Sequence, residues 1–144
     1  MLAFLGGTGP EGKGLALRMA LAGEQVIIGA RDSSRAQEAA AALLELAPGT
    51  SISGDVNEIA AHKGDMVFVT VPYEGQAALL EQLGSHLLGK VVVTAVAPMS
   101  FVRGQGAIAV SVGDGSAALE TQRILASSYV VAAFQNISAV ELMD

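Results

Sequence analysis

The sequence has no cysteine and no tryptophan, and only two tyrosines and four phenylalanines among 144 residues. The absence of cysteine excludes disulfides and thiolate metal sites. No apolar run approaches the roughly 18–20 residues of a membrane-spanning helix. The N-terminus carries neither the basic stretch nor the small-residue cleavage site of a signal peptide, and Leu2–Leu5 is too short to be one. The expectation is a soluble cytoplasmic protein. Positive charge is scarce: eight Lys and Arg stand against fourteen Asp and Glu, a net charge of −6. Such a chain is a poor general binder of nucleic acid. An anionic ligand would have to be held by helix N-termini and a few placed arginines. The two histidines, His62 and His86, fall in helical stretches without a paired carboxylate or ligand spacing and read as surface residues.

Alanine, glycine and valine dominate what is there, and 51% of the residues are apolar. The length suits one domain with a proper core. The composition suits an α/β domain whose sheet is buried on both faces.

The first fourteen residues are the most informative. Leu2-Ala3-Phe4-Leu5 reads as a short strand, Gly6-Gly7-Thr8-Gly9-Pro10-Glu11-Gly12 as a turn, and Lys13 onward as a helix. In that context Gly7, Gly9 and Gly12 form a G-x-G-x-x-G pattern. Gly7 is expected to permit the tight turn, Gly9 to let a pyrophosphate approach the backbone, and Gly12 to let the helix pack on the strand. Pro10 suits the first helical position, where a missing N–H costs nothing. The free amides and the helix dipole there favour an anion.

Strands and helices then alternate. Strands are expected at 25–30, 51–53, 65–71, 90–94, 107–111 and 129–134, with 97–106 a loop. Helices are expected to about Gly23, from Ser33 or Ser34 as cap to about Ala47, over 57–63 with Asp55 or Asn57 as cap, over 74–86, from an Asp114 or Ser116 cap to about Ser127, and from Ser138 onward. This order predicts a doubly wound, mostly parallel sheet flanked by helices, a Rossmann-type fold with right-handed crossovers. In such sheets ligands bind beyond the carboxyl ends of the strands. The glycine turn, Ala30-Arg31, Pro72-Tyr73, Ala97-Pro98 and Gln135-Asn136-Ile137-Ser138 are therefore the segments to read as functional.

The end of the second strand chooses the dinucleotide. An NAD site places Asp or Glu there to accept from a ribose hydroxyl. Here Ala30 and Arg31 stand at the tip, and Asp32 comes late. Arg31 can stack on adenine and pair with a 2′-phosphate, and Arg35, one turn into the next helix, reaches the same group. Ser33, Ser34 and the helix N-terminus can add donors. This favours NADP, against which an inward-turned Asp32 would count.

Several stretches together resemble NADPH-dependent coenzyme F420 reductases (F420:NADP oxidoreductases). They are Leu5-Gly6-Gly7-Thr8-Gly9 with Gly12-Lys13-Gly14-Leu15-Ala16, then Gly29-Ala30-Arg31, Val69-Thr70-Val71-Pro72-Tyr73, and 131–139 from Val131 to Ala139. The resemblance covers essentially the whole chain. It implies NADP contacts at Thr8, Gly9, Pro10 and Glu11 and at Ala30, Arg31 and Arg35. It implies Tyr73 and Ala97 near the nicotinamide, and Gln135, Asn136, Ile137, Ser138 and Ala139 along the F420 pocket. Pro72 and Pro98 would end strands and give the nicotinamide flat apolar walls. Ala30 stands where many relatives carry Ser, and Gln135 where many carry His. Family members continue into a further helical domain. This sequence stops at Asp144, so residues 1–137 read as an NADP-binding Rossmann domain and 138–144 as the start of a C-terminal helix whose domain is otherwise absent.

The activity implied is reversible hydride transfer between NADP(H) and the deazaflavin of F420. It needs the two rings parallel and the reacting carbons within about 3–3.5 Å, while the cofactors carry the chemistry. No catalytic side chain is therefore expected. Two other readings remain open: an NADP-binding module without turnover, and another NADP-dependent reductase of the imine or β-hydroxyacid type. Ala139, Val140, Leu142 and Met143 would lie uncovered on the last helix, which predicts a partner surface and, most simply, a homodimer.

Overall fold

The computed structural model describes residues 1–144. Six parallel strands form one sheet: β1 (Leu2–Leu5), β2 (Val26–Ala30), β3 (Ile52–Val56), β4 (Met66–Val69), β5 (Val91–Thr94) and β8 (Tyr129–Ala132). Their order across the sheet is β3-β2-β1-β4-β5-β8. Helices α1 (Pro10–Leu21), α2 (Ser33–Leu46), α3 (Asn57–Lys63), α4 (Tyr73–Leu83) and α5 (Ala117–Ile124) connect them, and α6 (Ala139–Met143) follows β8. The chain winds outward from β1 to β3, then α3 returns it to β4 on the other side of β1. The order reverses there, so the carboxyl ends of β1 and β4 flank the crevice where such sheets bind ligands.

Each central strand is buried on both faces, which is why it reads as a continuous apolar run. Phe4, Ile28, Phe68 and Val93 point to one face, against Leu15, Ala16 and Leu17 of α1 and Ala36, Ala40 and Leu43 of α2. Ala3, Leu5, Ile27, Val67, Val69 and Val92 point to the other, against Ala60 and Ala61 of α3, Leu80 and Leu83 of α4, and Ala117 and Leu125 around α5. The few aromatic residues are concentrated: Phe4 and Phe68 stack with ring centroids 4.6 Å apart, and Phe134 lies 6.1 Å from Phe68.

Four local expectations are corrected. Residues 97–111 are neither a plain loop nor a sixth parallel strand. Met99–Val102 (β6) and Gly106–Ala109 (β7) pair antiparallel as a separate hairpin. Gly104 and Gly106 take φ of 82° and 78° at its turn, a conformation glycine adopts without strain. The α2 cap is Asp32, whose carboxylate accepts from the Ser34 amide at 2.8 Å, and not Ser33 or Ser34. Neither Asp55 nor Asn57 caps α3, whose N-cap is Val56. The third strand is longer than expected, and it lies at the sheet edge.

The apolar face of α6 is also not free. Leu142 and Met143 pack on the α1 side of the core. Arg18 of α1 donates through Nε to the Leu142 carbonyl at 2.7 Å and through Nη2 to the Glu141 carbonyl at 3.3 Å. Of the residues expected to be uncovered, Val140 remains largely in solvent, at 79% exposure. The close approach depends on Gly14, where an added Cβ would stand 2.6 Å from the Leu142 Cβ. Gly14→Leu is therefore expected to lift α6 off α1. It should lower stability by about 2 kcal/mol, although leucine is favoured over glycine in a helix by about 1 kcal/mol. Urea midpoints measure the loss, and faster amide exchange confined to residues 139–143 locates it.

Candidate functional site

The turn after β1 is held from three directions. Gly6, with φ of 68°, turns the chain, so the left-handed position falls on Gly6 and not on the expected Gly7. Its amide donates to Asn57 Oδ1 at 3.0 Å, across from the first residue of α3. The Gly7 amide donates to the Phe4 and Gly29 carbonyls at 3.2 and 3.0 Å. Gly12 packs where a Cβ would stand 2.6 Å from Gly7 Cα and 2.7 Å from Thr70 Oγ1. Thr70 Oγ1 itself donates to the Leu5 carbonyl at 3.0 Å.

Helix α1 opens with Gly9 as N-cap and Pro10 as its first residue, and no side chain caps it. The amides of Thr8, Glu11 and Gly12 have no backbone acceptor. At Gly9 an added Cβ would meet only the Gly6 carbonyl, at 3.9 Å. Free amides, an uncapped helix dipole and open space beside Gly9 fit the diphosphate of a dinucleotide.

Two cavities meet at this turn. The larger, about 990 Å³, runs from Gly6, Thr8 and Gly9 to Ala30, Arg31 and Arg35. The smaller, about 270 Å³, lies between Glu11, Tyr73 and Ala95–Ala97, with Met99 and Phe101 of the hairpin at its side. Thr70, Val71, Pro72 and Glu74 line both, so the two make one groove across the switch point.

At the larger end Arg31 and Arg35 are exposed, and neither takes part in an ion pair. Asp32 folds back on its own helix and also accepts from the Ser34 hydroxyl at 2.6 Å. These hydrogen bonds from Ser34 hold its carboxyl below the ordinary range. Asp32 thereby occupies the Ser34 amide and hydroxyl, both expected to serve a ligand. The Ser33 Oγ accepts from Gln37 Nε2 at 3.0 Å.

At the smaller end Tyr73 is braced from behind. Its hydroxyl donates to Glu120 Oε1 at 3.2 Å, and Gln76 Nε2 donates to Glu120 Oε2 at 2.9 Å. The buried Thr94 hydroxyl donates to Gln76 Oε1 at 3.3 Å. Burial and the Glu120 carboxylate raise the Tyr73 phenol, which stays protonated.

The expected site residues thus divide. Thr8, Gly9, Ala30, Arg31, Arg35 and Pro72 line the larger cavity, and Glu11, Pro72, Tyr73 and Ala97 the smaller. Gly7 and Gly12 lie buried beneath the turn as its packing. Pro98 lines neither cavity, and its carbonyl accepts from Val110 and ties down the hairpin base. Residues 135–139 line neither cavity. Gln135 is anchored by its Nε2, which donates to the Thr94 carbonyl at 2.9 Å, and Ser138 caps α6. Sequence reasoning missed Asn57 as the acceptor that holds Gly6. It also missed Met99 and Phe101 as walls, because the hairpin was not foreseen.

A parallel sheet that reverses at β1 and β4, with an uncapped glycine-rich helix start facing the crevice, defines a Rossmann-type domain of the dinucleotide-binding class. A family model described as NADP oxidoreductase, coenzyme F420-dependent, matches residues 1–98. The chain belongs to that family. The F420-dependent NADP reductase of Methanothermobacter marburgensis is 43% identical, over 99% of this chain and 66% of its own length. That of Methanocaldococcus jannaschii is 38% identical, over 99% and 66%. A crystal structure from Arthrobacter sp. FB24, assigned as an F420-dependent NADP reductase, matches with a TM-score of 0.81 at 25% identity, over 96% of this chain and 64% of that one. A diketoreductase structure, at 14% identity and a TM-score of 0.53 over 96% of this chain and 65% of that one, shares the fold alone. The chain spans about two thirds of the length of these relatives. No helix is long and apolar enough to cross a membrane.

Proposed function

We propose that the chain binds NADP(H) across the glycine turn and serves hydride transfer between NADP(H) and coenzyme F420. The observation that carries the reading is that Thr8 and Gly9, at an uncapped helix start, line one cavity with Arg31 after β2 and Arg35 in the first turn of α2, neither of which is in an ion pair. The amides of Thr8 and Glu11 hold the diphosphate, and Arg31 and Arg35 hold the 2′-phosphate. Gly9 lets the diphosphate approach. Pro72, Tyr73 and Ala97 wall the nicotinamide end and exclude water, and Met99 and Phe101 extend that wall. When bound, the nicotinamide and the deazaflavin supply the hydride donor and acceptor. The residues of the groove hold and orient, and no side chain need move a proton.

Residues 135–139 border the F420 side on this reading, because Gln135 is tied to the end of β5. Residues 1–137 form the NADP domain, and 138–144 lead toward a further helical domain. On this reading the chain acts on small-molecule cofactors in the cytoplasm, with nucleic acid not among its partners. The kinship to reductases named for both cofactors supports the activity.

Calorimetric titration with NADPH, then with F420 added to the NADP-loaded chain, tests the reading. NADPH is expected to bind, and F420 to bind only after it. Absence of NADPH binding would overturn the assignment. Binding of NADPH without F420 would leave an NADP-binding module and remove the hydride-transfer reading for this chain.

A further inference from the structure

One side-chain atom stands out beside the groove, sealed from solvent. Glu11 Oε1 is buried and has no hydrogen-bond partner, and no other buried side-chain polar atom shares that condition. An unpartnered buried carboxyl oxygen is costly and calls for a partner. Glu11 is the second residue of α1 and lines the smaller cavity together with Ala95–Ala97. No basic side chain lines that cavity. The other ionisable groups lining it are Tyr73 and Glu74 of α4, with Glu120 of α5 bonded to Tyr73.

The groove sets which end of a dinucleotide reaches Glu11. With the 2′-phosphate on Arg31 and Arg35 and the diphosphate on the α1 amides, the nicotinamide enters the smaller cavity. We propose that the Glu11 carboxyl group binds the carboxamide of the nicotinamide through a two-point hydrogen-bonded pair. The inference rests on the NADP(H) reading given above.

The chemistry matches. A protonated carboxyl presents one donor and one acceptor, and a primary carboxamide presents the complementary two. A carboxylate would offer acceptors only and would be repelled by the diphosphate held at the same helix end. Burial raises the Glu11 carboxyl above the ordinary range, and no cation opposes it. The sign follows. NADPH affinity is full while Glu11 keeps its proton and falls as pH rises through the raised value. The 2′-phosphate also titrates, near pH 6, but its second charge strengthens the arginine contacts as pH rises.

The test titrates the full chain with NADPH and with 2′,5′-ADP, which lacks the nicotinamide half, at a series of pH values that starts in the ordinary glutamate range and rises to about pH 8. Glu11→Ala is expected to weaken NADPH about tenfold and leave 2′,5′-ADP unchanged. Glu11→Gln keeps a donor and an acceptor. It should bind NADPH as the unaltered protein does at low pH and lack the loss at high pH. Melting curves of both variants confirm that each is folded. NADPH affinity unchanged in Glu11→Ala, or one pH profile shared by Glu11→Gln and the unaltered chain, would overturn the proposal. Failure of the unaltered chain to bind 2′,5′-ADP would instead overturn the NADP reading on which it stands.

Discussion

Replacing Arg31 and Arg35 together by alanine is expected to weaken NADPH binding by about 2–4 kcal/mol, on the order of a hundredfold, and to leave NADH nearly unchanged. Arg31→Ala alone should cost about 1.5–3 kcal/mol. The argument is geometric. Both arginines line the 990 Å³ cavity, and neither is held by a carboxylate, so no ion pair must break before a phosphate is engaged. Both are exposed, so removing them leaves no buried charge and little effect on folding. The loss should therefore appear in binding and not in the melting temperature. Little else at the tip of β2 can select for a 2′-phosphate: Ala30 has no polar group, Asp32 takes both Ser34 donors, and only the Ser33 hydroxyl, which accepts from Gln37, keeps a free donor. Calorimetry with the two cofactors measures the difference. Equal losses for NADPH and NADH would refute the assignment of the arginines.

Gly12→Val is expected to abolish measurable NADPH binding and to destabilise the fold by about 3 kcal/mol or more, the upper range of overpacking. The added Cβ would stand 2.6 Å from Gly7 Cα and 2.7 Å from Thr70 Oγ1. Neither neighbour can yield cheaply. Gly7 is fixed by two hydrogen bonds from its amide, and Thr70 by its bond to the Leu5 carbonyl. Either α1 or the turn must move, and between them they carry every amide assigned to the diphosphate. Gly9→Ala is the companion variant. Gly9 has φ of −74° and ψ of 167°, which alanine adopts, and its Cβ would meet only the Gly6 carbonyl at 3.9 Å. It should leave stability nearly unchanged and still weaken NADPH, because the methyl enters the space a diphosphate needs. Urea unfolding beside calorimetry separates the two effects. Stability lost equally in both variants would show that the turn is read wrongly.

Much of this architecture could be read directly along the chain. The strand, glycine turn and helix of residues 2–21 are local features, and so is the uniformly apolar run of β4. They follow from turn chemistry and from burial on both faces of a parallel sheet. The two arginines after β2 were legible for the same reason, since the position that reads the ribose follows a strand tip of known place. The hairpin β6–β7 was not legible. Its strands are four residues each, too short for a clear period, and glycines at 104 and 106 suit a loop as well as a hairpin turn.

Other features depend on residues that meet only in three dimensions. Asn57 is the first residue of a short helix, and its amide oxygen serves a glycine 51 positions away. Phe134 takes φ of 74° where β8 ends, and its ring comes to rest beside Phe68. Helix α6 looked apolar and uncovered because Gly14, 128 positions before Leu142, gives no sign of how closely another helix lies on it.

The sequence by itself determined the winding order, the glycine-rich helix start and the charge after β2. These depend on residue type and on neighbours a few positions apart. Only the tertiary structure decided which groups share the groove, that Asp32 turns back onto its own helix, that α6 is covered, and that one oxygen of Glu11 is buried without a partner. Those outcomes depend on distances between elements far apart in the chain, and burial and hydrogen bonding are properties of the packed molecule, not of any single stretch.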